Sequence, residues 1–141
     1  MVLYSRRELA KYKRRAQVKY PVEYIGLLFG TVTAAQVTIE KFVTVPQRGT
    51  RYYVNWLDVE GAQNIIAETE ASSGLEFICT IHSHTLTHCE AHVPSAKDND
   101  EAYVWEERVF ALDHIRKKNG RFSHSIAFYK PQQPLEDVAG F

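Results

Sequence analysis

The chain has 141 residues, is 45% hydrophobic and carries no net charge at pH 7, with 17 basic and 17 acidic residues. This length predicts one globular domain over residues 1–141, and no window approaches the roughly 18 consecutive apolar residues that a membrane span needs. Two cysteines are too few for a disulfide-stapled secreted domain, and the first residues lack the apolar core of a signal peptide, so we expect a cytoplasmic protein.

The first predicted element is an amphipathic helix over residues 5–17. Ser5 and Glu8 match a capping box at its start. The apolar side chains that share one face are Leu9, Tyr12 and Ala16. Residues 1–19 carry seven Lys or Arg residues and one acid, which makes this end a basic patch on an acidic chain. A solvated helix face is the favoured interpretation of the patch, ahead of an acidic partner or nucleic acid.

A β-hairpin and an irregular segment are predicted next. The apolar run of residues 22–30 and the β-branched alternation of residues 36–45 indicate two antiparallel strands, the first of which carries Glu23. Residues 46–56 contain proline, glycine and several aromatic residues, and this composition predicts an irregular excursion.

The second predicted helix follows this segment. Asp58 can cap its start and Gly74 can end it. Its predicted inward face consists of Val59, Ala62, Ile65, Ile66 and Thr69. Residues 77–84 then predict a strand, and residues 85–94, which are short and mixed in composition, predict a loop.

A third helix is predicted from about Pro94 to the turn at Asn119 and Gly120. Acidic residues occupy its first turns and three basic residues its last, which matches the helix macrodipole. Residues 122–129 predict a last strand, and the tail after Lys130 is expected to be peripheral.

Two histidines at the end of the strand over residues 77–84 carry the strongest chemical signal. Because side chains alternate along a strand, His82 and His84 point to one face and can share a metal ion. A catalytic zinc ion takes three protein ligands and leaves a fourth position for water, so a third donor is required. Asp98 is the best candidate, since the loop before it is short. Taken alone, however, a His pair is as often a hydrogen-bonded feature, and Ser95 with Asp98 an ordinary helix start.

Together these residues resemble the motif of the JAMM metallopeptidases, also called the JAB or MPN family. That motif pairs an upstream Glu with a His-Ser/Thr-His segment and, after a short loop, a Ser and an Asp. The matching positions here are Glu23, His82, His84, Ser95 and Asp98. The resemblance covers nearly the whole chain and implies an α/β fold, similar to that of cytidine deaminases, with a central mixed sheet and about three helices. Two departures fall in one loop, because Thr85 replaces a usual proline and the loop is longer than usual.

The resemblance also implies an activity, which is zinc-dependent hydrolysis of an amide bond. His82, His84 and Asp98 would hold one zinc ion, which lowers the pKa of bound water toward about 7. Glu23 would act as general base and then protonate the departing amine, and Ser95 would stabilise the oxyanion. The implied substrates are isopeptide bonds or C-terminal extensions of ubiquitin-like or sulfur-carrier proteins.

Two other functions stay open on the sequence. A non-catalytic scaffold of the same family typically lacks one or more ligands, whereas this chain has the full set. Nucleic-acid binding through the basic N-terminal helix would make binding sensitive to salt, and the sequence disfavours it against the other two functions.

The remaining candidate residues have plain interpretations. A second metal site in the longer loop would have only three donors where a closed site normally needs four, so surface-loop residues are the favoured interpretation of His88, Cys89 and His92. Cys79 faces away from His82 and is expected in the core. We expect His114 and His124 away from the site, as structural or exposed residues. Groove lining and packing are equal interpretations of Tyr52, Tyr53 and Trp56.

Overall fold

The structure of the protein, a computed structural model, describes residues 1–85, 109–130 and 133–141. Within these ranges the chain forms two helices and ten strands. In chain order they are β1 (Val2–Tyr4), α1 (Arg6–Lys19), β2 (Ile25–Val32), β3 (Val37–Val43), β4 (Gln47–Gly49), β5 (Val54–Trp56), α2 (Val59–Ser73), β6 (Glu76–His84), β7 (Phe110–Lys118), β8 (Arg121–Lys130), β9 (Gln133–Pro134) and β10 (Val138–Gly140). No helix in the described ranges is long and apolar enough to cross a membrane.

One mixed sheet organises the fold. Its eight strands lie in the order β10-β1-β3-β2-β6-β7-β8-β9, and β4 pairs only with β5 in a separate small hairpin. The pairs β1–β10, β1–β3 and β6–β7 are parallel, and the other pairs are antiparallel. The predicted α/β fold with a central mixed sheet is therefore confirmed. The C-terminal tail of the chain, which the sequence predicted to be peripheral, supplies the edge strand β10.

Each helix covers one face of the sheet. Neighbouring side chains on a strand point to opposite faces, so the sheet has two apolar faces and a separate core forms between each face and its helix. Leu28 on β2 belongs to the core that contains the buried face of α1, whereas Leu27 belongs to the core that contains Ala62 of α2. Cys79 on β6 is fully buried in the α1 core, as predicted.

The predicted ends of both helices match the structure closely. Ser5 accepts a hydrogen bond from the Glu8 amide and begins α1. Asp58 accepts from two amides of the first turn of α2, and Gly74 ends that helix in the left-handed conformation. The prediction for Val59 is wrong: this side chain is 54% exposed, because the first turn of α2 precedes the part that packs on the sheet.

The segment over residues 46–56 is not irregular, as the sequence predicted, but forms the hairpin of β4 and β5. Each strand has three residues, which is too short for an alternating pattern to emerge from the sequence.

The prediction of a third helix up to residue 118 is also wrong, because residues 110–118 form strand β7. The first six residues of β7 are all buried, as expected for a strand covered on both faces. Asn119 and Gly120 both have positive φ and turn the chain directly into β8. The three basic residues before this turn therefore lie at a hairpin end and not at a helix end. Within the described residues there are two helices, where the sequence predicted about three.

Candidate metal and catalytic site

His82 and His84 lie at the end of β6 with their rings side by side. Their Nε2 atoms are 3.0 Å apart and their ring centroids 4.9 Å apart. Two nitrogens bound to one tetrahedral zinc ion at about 2.05 Å each would be about 3.3 Å apart. The spacing of the two Nε2 atoms is that of a hydrogen bond between the rings, and it also fits a pair of ligands to one zinc ion after a shift of a few tenths of an ångström.

Ser83, between the two histidines, anchors the neighbouring strand. Its hydroxyl accepts a hydrogen bond from the Tyr24 amide at 2.8 Å, and its own amide donates to the Tyr24 carbonyl at 2.9 Å. These bonds extend the antiparallel ladder of β2 and β6 by one step beyond the pair Ile25 and His82. Glu23 directly precedes Tyr24, so these bonds tie the segment that carries Glu23 to the histidine strand.

Glu23 is 9% exposed and is held from behind by the β4–β5 hairpin. Its amide donates to the Thr50 carbonyl at 2.8 Å. At Gly49 a Cβ atom would lie 2.6 Å from the Glu23 carbonyl oxygen, so only glycine permits this close approach. The hairpin therefore fixes the backbone that carries the Glu23 carboxylate.

Thr85 follows the second histidine at the position where the JAMM pattern usually has proline. Its hydroxyl donates to the Pro21 carbonyl at 2.8 Å and lies 3.3 Å from the Arg51 carbonyl. A proline could not make these bonds, because it has no donor. The departure from the family pattern thus supplies a side-chain contact from the end of β6 to the segment before Glu23.

A buried polar network lies behind the histidine strand, on the α1 side of the sheet. Asp113 is paired in register with Ser83 and is fully buried. One of its oxygens accepts from the Tyr12 hydroxyl at 3.1 Å and lies 2.7 Å from His124 Nδ1. Gln17 is 2.9 Å from the other nitrogen of that imidazole. Burial, and after it the charge of Asp113, raises the pKa of Tyr12 well above its ordinary value.

The two histidines that the sequence set aside have different positions. His124 lies in the buried network, which confirms a structural role. His114 is 5% exposed and lies in register with His84 on the neighbouring strand, so the expectation that it lies away from the site is wrong. The cause is the strand β7, which replaces the predicted helix. The sequence signal for that strand was Asn119-Gly120 between two apolar runs.

The predicted third metal donor, Asp98, falls in a part of the chain that the structure does not describe. Within residues 1–85, 109–130 and 133–141, no three His, Cys, Asp or Glu side chains lie close enough to hold a metal ion together. Ser95 and Asp98 stay predictions because they lie outside these ranges. The same holds for the rival donors His88, Cys89 and His92.

The aromatic residues before α2 are divided between surface and core. Tyr52 is 73% and Tyr53 43% exposed at the tip of the β4–β5 hairpin, which contacts the segment around Glu23. Trp56 packs against the α2 core. Beside the hairpin, a groove of 290 Å³ is lined by Arg48, Tyr53, Asn55, Trp56 and Leu57.

Comparison with known proteins supports one family. The family model of prokaryotic homologues of the JAB domain matches residues 5–125. A protein from Desulfitobacterium hafniense, known from a solution structure, is 16% identical with a TM-score of 0.68, over 100% of this chain and 93% of that one. The crystal structure of a JAB1/MPN domain protein from Archaeoglobus fulgidus is 17% identical with a TM-score of 0.60, over 100% of both chains. No curated protein matches the chain in sequence.

At these identities the two solved structures establish the fold alone, whereas the family model covers most of the chain. The motif residues that the structure describes, which are Glu23, His82 and His84, lie within the matched range. The protein therefore belongs to the family of prokaryotic homologues of the JAB domain.

Proposed function

We propose that the protein is a zinc-dependent peptidase or isopeptidase that hydrolyses an amide bond at the C-terminus of a ubiquitin-like or sulfur-carrier protein, or of its conjugate. The observation that carries this proposal is the 3.0 Å approach of the His82 and His84 Nε2 atoms. The two hydrogen bonds between Ser83 and Tyr24, the residue after Glu23, support Glu23 as the base.

Three residues would hold the metal, namely His82, His84 and Asp98. Two imidazoles and one carboxylate form a donor set that suits catalytic zinc and leaves one position open. When bound, zinc supplies a Lewis acid that polarises the scissile carbonyl group and makes water a nucleophile near neutral pH.

The other motif residues would move and stabilise charge. The Glu23 carboxylate takes the proton of the attacking water and passes it to the departing amine. Without this proton the amine would have to depart as an anion, which is a poor leaving group. The Ser95 hydroxyl donates a hydrogen bond to the carbonyl oxygen as negative charge develops on it. The hydrogen bonds from the Glu23 amide to Thr50 and from the Tyr24 amide to Ser83 hold the backbone of the proposed base in one position during this transfer.

The substitution Glu23→Gln tests this role. It keeps the shape of the side chain but cannot accept the proton, so kcat should fall at least about 100-fold while the zinc content stays unchanged. The measurement is release of a fluorogenic amine from the C-terminal Gly-Gly of a ubiquitin-like protein. The exposed Glu40→Gln is the matched control and should keep wild-type activity. Wild-type turnover by the Glu23→Gln protein would refute the assignment.

A non-catalytic scaffold of the same family is the second candidate. The family match and the similarity of fold are equally compatible with a scaffold, because neither of them establishes an activity. A scaffold predicts neither zinc retention nor turnover of the Gly-Gly substrate, whereas the hydrolase predicts both. The cytoplasmic location expected from the sequence stays a prediction.

A further inference from the structure

A basic groove lies on the side of the sheet that faces α1. It has a volume of 550 Å³, within the range of about 300–1,000 Å³ that is usual for ligand sites. Its lining consists of Lys11, Arg14, Arg15, Lys41, Phe42, Val43 and Thr44. The Phe42 ring packs on Tyr12 in the α1 core, whereas the histidine pair lies on the α2 face. The groove is therefore separate from the candidate catalytic site.

Most charges of the groove have no ion-pair partner among the residues that the structure describes. Lys11, Arg14 and Arg15 are three and four residues apart and so share one face of α1, and Lys41 faces them from β3. Among the described residues, only Lys11 of these four cations forms an ion pair, with Glu8 at 2.6 Å. The two arginines are exposed to solvent. A partner that supplies carboxylates would gain at least three ion pairs here without breaking an existing one.

The floor of the groove is the open edge of a strand. β1 pairs with β3 only from Val37 to Ile39, because the chain turns into α1 after Tyr4. Beyond that point the Phe42 amide points away from β2 and donates to the Glu8 carboxylate at 3.2 Å. Since backbone groups alternate along a strand, the Phe42 carbonyl and the amide of Thr44, the residue after β3, should point to the same side as the Phe42 amide.

Glu8 shows that a carboxylate can bind at this edge of β3. Its carboxylate takes the Phe42 amide and the Lys11 ammonium at once. Burial alone would raise the pKa of Glu8, but these two contacts and the Lys41 charge hold it below its ordinary value. A carboxylate is thus stabilised at one end of the edge, and the cations further along are available for others.

We propose that an extended acidic peptide segment of a partner protein adds as a strand to the outer edge of β3, with its carboxylates on Arg14, Arg15 and Lys41. Main-chain hydrogen bonds give such an added strand its affinity, and alternate side chains give it specificity. A nucleic acid fits this groove less well. The Phe42 ring is buried and cannot stack on a base, and a strand edge offers peptide donors and acceptors in the spacing of another strand.

The test uses a fluorescein-labelled peptide that alternates glutamate and valine, with binding followed by anisotropy at low and physiological salt. The double variant Arg14→Glu and Arg15→Glu should weaken binding at least about tenfold, because attraction becomes repulsion. The matched control, Lys13→Glu with Lys19→Glu, reverses two charges of the same helix outside the groove and should change affinity by less than about twofold. The melting temperatures of the two double variants are compared first, so that a loss of stability is not mistaken for a loss of affinity.

A second probe tests pairing with the strand edge without altering the protein. The same peptide, N-methylated at every residue, keeps its charge but has no main-chain N–H group to donate, and it should bind at least about tenfold more weakly. The proposal is overturned if both peptides bind equally, if the wild-type protein binds neither, or if Arg14→Glu with Arg15→Glu has no effect. It is also overturned if a single-stranded oligonucleotide of equal charge binds more tightly than the peptide. If the wild-type protein self-associates and the same arginine variant abolishes this self-association, the groove binds a second copy of the chain. That result would also overturn the proposal.

Discussion

At the scale of single residues, Ser83 does more than separate the two histidines. It lies on the opposite face of β6 from them, is fully buried and holds Tyr24 through two hydrogen bonds. Because Tyr24 precedes β2 and follows Glu23, the hydroxyl of Ser83 sets the position of the proposed base relative to the histidine strand. The middle residue of the motif is therefore structural in this protein.

Replacement of Ser83 by alanine should be costly. It leaves the buried Tyr24 amide without its acceptor, so the free energy of unfolding should fall by about 1–3 kcal/mol. Urea denaturation measures this change, and the exposed Ser123→Ala, also on a strand, should stay within about 0.5 kcal/mol of wild type. Equal stabilities of Ser83→Ala and wild type would show that the Tyr24 amide finds another partner.

Glu8 predicts a dependence of stability on acid. Its pKa is lowered in the folded state, so its contribution is present above the pKa of the unfolded chain and is lost as the pH falls through the folded-state pKa. At neutral pH, Glu8→Gln should lower the free energy of unfolding by about 1 kcal/mol, since Glu8 is paired with the half-exposed Lys11. Denaturation at several pH values should show this difference shrinking below about pH 4. A difference that grows in acid would contradict the assignment.

At the scale of elements, β7 shows where charge patterns mislead. Acidic residues followed by a basic run predicted a helix up to residue 118, but the apolar run of β7 is buried against β6 and β8. Burial between two strands outweighs the few tenths of a kcal/mol that a helix dipole offers each charge. The hairpin signal at Asn119 and Gly120 was the more reliable indicator, because positive φ at two successive residues suits only a tight turn between strands.

The turn between β7 and β8 can be tested directly. Gly120 has φ of 73°, and a Cβ atom there would meet nothing within 4 Å, so the cost of Gly120→Ala is purely conformational. We expect a loss of about 1 kcal/mol in the free energy of unfolding, measured by thermal or urea denaturation. The exposed Lys118→Ala, two residues earlier, is the control and should have little effect. A Gly120→Ala protein as stable as wild type would contradict the turn conformation.

At the scale of the whole molecule, the sequence identified local patterns and missed contacts between distant segments. Helix ends, the β2–β3 hairpin and the histidine strand each follow from a few neighbouring residues. The bond from Tyr12 to Asp113 joins residues 101 positions apart, and no periodicity announces it. The pairing of His114 with His84 likewise depends on β7 lying beside β6 in parallel. That residues 1–141 form one domain stays a prediction.

The sheet also explains why the proposed site and the basic groove lie on opposite sides. The groove is lined by residues of α1 and β3 and by the residue after β3, whereas His82 and His84 lie on β6. Alternation puts His82 and His84 on the face of β6 opposite Cys79 and Ile81 of the α1 core, whereas Phe42 belongs to that core. The proposed hydrolysis and the proposed peptide docking can therefore be perturbed separately, the first by Glu23→Gln and the second by the arginine variants.

Zinc analysis of the purified protein tests the central claim most directly, because the proposed chemistry requires His82, His84 and Asp98 to hold one ion together. After purification without chelators, the wild-type chain should contain about one zinc ion, and His82→Ala with His84→Ala, or Asp98→Ala alone, should lose most of it. A zinc-supplied wild-type protein that retains none, or a double histidine variant that retains as much as wild type, would contradict the account.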